Sequence, residues 1–358
     1  MSTPQIALRD TSYSVPCRRA VGGGSVFNAV FFHRSDAGFY DTCDALGARG
    51  WAWKDLLPYF KKSETFSRPD SQFAARHNLT WEDAVHDFGG PVQASYAPYD
   101  YPGSANLYNA AISIGIHPTN DPSNGKAQGV FHLQRSVDAK TQTRSSARVN
   151  RHDRDITRPN YHVLTSTAAP KILFKGRIAI GVEFVDVAST INESVKALKE
   201  IILAAGAIHT PQILQLSGVG DVNSLKQLGI KPVVDLPGVG KNLQDHLVLK
   251  VSYNCTSNLF PNGGSLRSNA TYAAEQRALY ESGRPSAYDL TATTGNLMIQ
   301  LPLSNWTANS SSITSMARSQ SLSALLGGRD HSSVLRGFAK QRSAMLENID
   351  TAVVGGVS

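Results

Sequence analysis

The stretch from Gly206 to Gly220, Gly-Ala-Ile-His-Thr-Pro-Gln-Ile-Leu-Gln-Leu-Ser-Gly-Val-Gly, constrains this chain most, because it orders a glycine turn, a helix start and a small-residue exit. The run before it, Glu200-Ile201-Ile202-Leu203-Ala204-Ala205, is apolar and partly β-branched, which predicts a buried strand ending in small residues. Thr210 fits an N-cap and Pro211 a first helical residue, where proline's missing N–H costs nothing. Ser217-Gly218-Val219-Gly220 then ends the helix with residues that tolerate left-handed or closely approached backbone. A strand, Ala-Gly and a helix start in succession let the main chain touch a flat cofactor or a phosphate.

Two further segments carry the same kind of punctuation. Arg19-Ala20-Val21-Gly22-Gly23-Gly24-Ser25-Val26-Phe27-Asn28-Ala29-Val30-Phe31-Phe32-His33-Arg34 is a glycine-serine loop followed by apolar residues, and Leu236-Pro237-Gly238-Val239-Gly240-Lys241-Asn242-Leu243-Gln244-Asp245-His246 is a second glycine loop. Together with Gly206 to Gly220 they resemble, in order and separation, the signatures of the glucose-methanol-choline (GMC) family of flavin oxidoreductases. The resemblance implies an α/β fold of mixed helices and strands, with an incomplete Rossmann-like FAD-binding domain interleaved with a substrate domain built on an antiparallel sheet. It assigns 1–66 and 150–246 to the FAD side, and 67–149 and 247–358 to the substrate side.

FAD is the cofactor so implied. By resemblance it would be met by Val21, Gly22, Gly23, Ser25, Asn28, Ala29, Val30 and Phe31 of the first signature, whose Asn starts a helix against the flavin, and by Ala205 and Gly206 of the second. Val163 matches the position whose main chain meets the adenine ring; a plain core valine is the alternative reading of the residue alone.

Composition excludes several other classes. The net charge of +7 is spread along the chain, and the one dense basic run, Arg144 to Arg158, is interrupted by His152, Asp153 and Asp155 and lacks interleaved aromatics. It reads as a solvated loop, with no nucleic-acid partner. No apolar stretch approaches the roughly eighteen residues of a membrane span. Cys17, Cys43 and Cys255 are too few and too far apart for a metal site or a disulfide scaffold. Asn-x-Ser/Thr sequons begin at Asn78, Asn192, Asn254, Asn269, Asn305 and Asn309, while the first residues lack the basic start and apolar core of a signal peptide, so location stays open. The oligomeric state is equally open.

Along the rest of the chain, Trp51 to Glu64 has helical apolar spacing with tryptophans assigned to the core, Val92 opens a strand after Gly89-Gly90-Pro91, and Leu107 to Ile114 is an amphipathic helix. Asn120 to Gly125 is a turn-rich loop before a strand over Gly129 to Gln134. Tyr161 to Thr165, Lys171 to Phe174 and Ile178 to Phe184 form a β-meander, and Val248 to Tyr253 alternates as a half-buried strand. The Ser-, Asn- and Thr-rich segment 304–323 reads as a loop, and Ser333 to Leu346 as a helix.

The resemblance implies oxidation of a small-molecule alcohol, with hydride passing to the flavin and a C-terminal His as base. No catalytic residue is assigned. The family's G-x-G-x-x-G turn and its HxxGT element are not found, the last histidine being His331, so the chain reads as truncated at both ends. His246 is assigned to bonding its loop, and His209 and His33, the latter in the helix after the first signature, to structure. Arg18 stands where the family usually has Gly. Three readings follow: an FAD-dependent alcohol oxidase or dehydrogenase, a catalytically inactive remnant, or a non-redox, cyclase-like member.

Overall fold

The computed structural model describes all residues except 1–9, 16, 18, 247–250, 252–255, 258, 291–295, 327–330, 350–354 and 358. The expectation for Arg18, and nearly all of the strand expected over Val248 to Tyr253, lie outside the described residues.

In chain order, helix α1 is Ala37–Ala45 and α2 is Trp53–Ser63. Strand β1, Glu64–Ser67, leaves α2 without a loop; α3 is Ser71–His77, β2 Val92–Ser95, α4 Pro102–Ser113 and β3 Gly129–His132. Strands β4, β5 and β6 are Thr167–Lys175, Ile178–Asp186 and Asn192–Lys196. Next come α5 Gly206–Leu216, β7 Val219–Gly220, α6 Val222–Gln227 and β8 Val234–Asp235. The last large elements are α7 Ala270–Glu281, β9 Leu297–Leu301, α8 Ser310–Ser319, α9 Ser332–Asn348 and β10 Gly355–Val357.

The chain divides into two compact units. The first comprises Met1–Tyr161, Asn254–Arg318 and Ala344–Ser358. Within it β1 pairs parallel with β2, and β9 is the middle strand of an antiparallel sheet between β3 and β10. Phe66, Ala74, Leu79, Ala94 and Tyr96 form one buried cluster, and Ala111, Val130, Leu297, Ile299 and Leu301 another beneath α4. β9 alternates buried and half-buried residues, as a strand covered on one face should.

The second unit comprises His162–Tyr253 and Ser319–Ser343. β4, β5 and β6 make an antiparallel meander, and β7 pairs parallel with β8. Ser217 ends α5 and also ties it to the meander: its hydroxyl donates to the Ile213 carbonyl at 2.6 Å and accepts from the buried Ile172 N–H at 2.8 Å. Gly218 is required there, with φ +86° and the Lys231 carbonyl only 2.5 Å from where a Cβ would stand.

Several expectations are corrected. Residues 200–205 form no strand: among the described residues no ladder hydrogen bond holds them, and Ile202 is 78% exposed. An apolar, β-branched run becomes a buried strand only when a neighbouring strand satisfies its backbone groups. Thr210 and Pro211 lie inside α5, which starts at Gly206 with Ala205 as its cap; the Thr210 hydroxyl instead reaches back to accept the Ala205 N–H at 3.1 Å. Tyr161 to Thr165 is irregular, the meander beginning at Thr167. Segment 304–323 is largely helical: Leu303–Trp306, Ser310–Ser319 and Leu322–Leu325 are helices, with serines both opening and inside the second. A single π turn, Arg148–His152, and a short helix, Asp153–Asp155, interrupt the basic loop. Trp51 is exposed rather than core, whereas Trp53 packs against Tyr40 and Phe60. Neither Asn28 nor His33 is in a helix; the glycine loop passes into irregular chain until α1.

Candidate functional site

Of the residues expected to meet a cofactor, Val21, Gly22, Gly23, Ser25, Asn28, Ala29, Val30 and Phe31 share one loop of the first unit, while Val163, Ala205 and Gly206 belong to the second. The loop turns at Gly22, whose φ of +96° is left-handed and whose added Cβ would lie 2.9 Å from Val26 Cγ1 and 3.0 Å from the Arg148 nitrogen. A tight 3-10 turn over Gly23–Val26 follows.

Side chains then pin the loop. The Ser25 hydroxyl donates to the Gly22 carbonyl at 2.5 Å and accepts from the Ala147 N–H at 2.9 Å. Arg144 Nη1 donates to Asn28 Oδ1 at 2.6 Å and to the Asn28 carbonyl at 2.7 Å. Asn28 Oδ1 also accepts the Val30 N–H at 3.1 Å. Val30 is buried at φ +55°, a conformation that a β-branched residue occupies only under constraint, and its carbonyl accepts from the Ser136 N–H at 2.8 Å.

What the pinning leaves open is a strip of main chain. Nothing lies within 4 Å of a Cβ built on Gly23 or Gly24, Asn28 and Ala29 are exposed, and the Ala29 N–H has no partner among the described residues. Phe31 is also exposed, beside its bridge to Arg135. In the second unit Gly206, at φ +85°, has equally open space around it, and Val163 is 41% exposed on irregular chain. Backbone groups facing open space beside glycines suit a broad planar ring that a Cβ would displace.

Sequence reasoning missed the most polar part of the first unit. Arg34 Nη2 donates to Glu64 Oε1 at 2.7 Å, His86 Nδ1 lies 2.9 Å from the same oxygen, and His86 Nε2 lies 2.8 Å from Asp121 Oδ2. Arg34 Nη1 also bonds the Val85 and Ser123 carbonyls, and Asp121 Oδ1 accepts from the Ser123 N–H. All four charged side chains are buried. Burial lowers His86's affinity for a proton, but its bonds to Asp121 and Glu64 and their charges outweigh that and raise its pKa. Arg34 is lowered by burial against the pull of the same carboxylates. The quartet balances two positive groups with two negative ones and anchors the chain just beyond the Gly22 loop. Only the polar turn Asn120-Asp121 signalled any of it.

His33 is a packing residue, tilted against Phe131, with burial lowering its pKa. His246 is exposed, and its N–H bonds Asp245. Among the described residues no group of three or more His, Cys, Asp or Glu could hold a metal, and no helix is long and apolar enough to cross a membrane.

Residues 6–248 match the GMC oxidoreductase family profile, and the chain belongs to that family. FAD is the cofactor that this membership indicates. The chain is 42% identical over 359 aligned residues to the dehydrogenase xptC of Emericella nidulans, covering 99% of this chain and 58% of that protein. It superposes with a TM-score of 0.96 and 44% identity on an FAD-dependent oxidoreductase from Chaetomium thermophilum, covering 99% of this chain and 62% of the other. A fungal aryl-alcohol oxidase matches with a TM-score of 0.87 and 28% identity, covering 99% and 61%. The chain thus spans about three fifths of the length of these relatives.

Proposed function

We propose that the chain takes part in FAD-dependent oxidation of the CH–OH group of a small-molecule alcohol. Residues 1–66 and 150–246 then supply the flavin side and 67–149 and 247–358 the substrate side. The observation that carries this reading is the open main-chain strip at Gly23, Gly24 and Ala29, held by Ser25, Asn28 and Arg144. FAD, when bound, supplies the acceptor for the hydride leaving the alcohol carbon. The chain's own part is to present the Ala29 N–H and the glycine backbone to the ring, with Arg144 keeping Asn28 from rotating into that space. Val163, Ala205 and Gly206 contribute backbone with small or short side chains. No described histidine is assigned as the base.

The test is an absorption spectrum after gel filtration with added FAD. A flavin band co-eluting with the protein, and weakened in Arg144→Ala, supports the reading; a wild-type protein that elutes colourless overturns it. A second reading, a chain that keeps the fold without turnover, is favoured by the apolar run at 200–205, which joins no sheet among the described residues. Retained flavin that alcohols fail to bleach under anaerobic conditions would select it.

A further inference from the structure

Apart from the loop and the buried quartet, the first unit holds a small, partly open cavity of mixed polar and apolar lining at the junction of α3, β3, β9 and the residues before α4. It is lined by Phe73, Leu79, Tyr96, Asp100, His132 and Asn296 among others, and measures about 10 Å³. Asp100 Oδ1 is satisfied by the Ser104 hydroxyl at 2.6 Å and the Tyr101 N–H at 3.0 Å. Its other oxygen, Oδ2, is buried without a hydrogen-bond partner among the described residues, and so is Asn296 Oδ1. The Asp100 side chain is 4% exposed, and Asn296 as a residue is 4% exposed.

Two imidazoles flank the orphaned carboxylate oxygen without reaching it. His77 Nδ1 is 3.6 Å away and His132 Nδ1 3.7 Å away. Those separations are too long for direct bonds and are the kind that an intervening molecule spans. Leaving two buried acceptors unmet costs on the order of 1–3 kcal/mol each.

We infer that this cavity is the binding site of one ordered water molecule, which donates its two hydrogens to Asp100 Oδ2 and Asn296 Oδ1 and accepts from an imidazole N–H. The donor count matches: two acceptors lack a hydrogen, and a water brings two. The volume matches as well, since a cavity of roughly 10–15 Å³ with two to four polar partners is what one water needs. A hard cation would require about six oxygen ligands, which this lining does not offer. A zinc-type ion is disfavoured because no set of metal-ligating side chains converges among the described residues. The water joins Asp100, ahead of α4, to Asn296, the residue before β9, whose carbonyl already accepts the Leu133 N–H at 2.7 Å.

A crystal structure of the full chain, at a resolution that shows ordered solvent, tests this. The expected result is one solvent peak about 2.5–3.0 Å from both Asp100 Oδ2 and Asn296 Oδ1. Absence of a peak, with Asp100 turned to bond a histidine directly, overturns the inference. So does a peak with anomalous scattering about 2.0–2.2 Å from the imidazole nitrogens, which would be a metal. In solution, Ala97→Val at the cavity wall is expected to expel the water and lower Tm, whereas a raised Tm would mark a dry cavity. Added zinc is expected to leave the wild-type Tm unchanged.

Discussion

Replacing Glu64 by Leu removes the one oxygen that receives both Arg34, at 2.7 Å, and His86, at 2.9 Å. At an effective dielectric of about 20, each such contact carries on the order of 4 kcal/mol of attraction, most of it offset by the desolvation of the charges. What remains after the change is a buried guanidinium hydrogen-bonded to the Val85 and Ser123 carbonyls and an imidazolium with Asp121 as its one carboxylate partner among the described residues. Removing one member of a buried ion pair costs about 3–5 kcal/mol, because the other is left uncompensated. For a unit of this size 1 kcal/mol corresponds to roughly 2–4 °C, so Tm should fall by about 6–20 °C. Scanning calorimetry with thermal denaturation followed by tryptophan fluorescence would measure it. The double variant Glu64→Leu/His86→Leu should lose less than the sum of the single changes, since the charges leave together. A loss below about 2 °C, or strict additivity, would refute the view that the quartet acts as one balanced group.

The same quartet sets a pH dependence. With the folded pKa of His86 raised, its stabilising contribution is complete below about 6.5 and is lost as pH rises from there through the elevated value; His86→Gln should remove that decline. His33 and His132, both lowered mainly by burial, act in the opposite sense on acidification, so the difference between wild type and His86→Gln is the quantity to plot. Gly22→Ala should cost about 1–3 kcal/mol, from its left-handed φ and the contact with the Arg148 backbone, and lower flavin retention; chemical denaturation and the spectrum read both. Ser217→Ala should cost about 1–3 kcal/mol in the second unit by leaving the buried Ile172 N–H unpaired, with hydrogen exchange at Ile172 rising correspondingly.

Features whose causes are local were legible in the sequence. Gly218 had to follow a helix because only glycine accepts that φ against a carbonyl, and α2 and α4 follow from apolar spacing that tolerates Pro58 and Pro102. Features created by distant partners were not. The residues 200–205 have a strand's composition but lack a neighbour's hydrogen bonds, and Arg34, Glu64, His86 and Asp121 are spread over nearly ninety positions with no spacing to join them. The candidate site divides the same way. The glycines and Ser25 are readable as a loop, whereas the role of Arg144 depends on a fold that returns it to Asn28 across 116 positions.

The open run between β6 and α5 bears on how the protein behaves in concentrated solution. Leu198 and Ile202 project into solvent from backbone that pairs with no strand among the described residues, and every residue of the neighbouring β6 is exposed. Chains presenting such a segment tend to pair with one another, and Lys196, Lys199 and Glu200 are the charges that oppose it. Solubility should therefore fall steeply with salt, as screening weakens those few gatekeepers before it touches the buried cores.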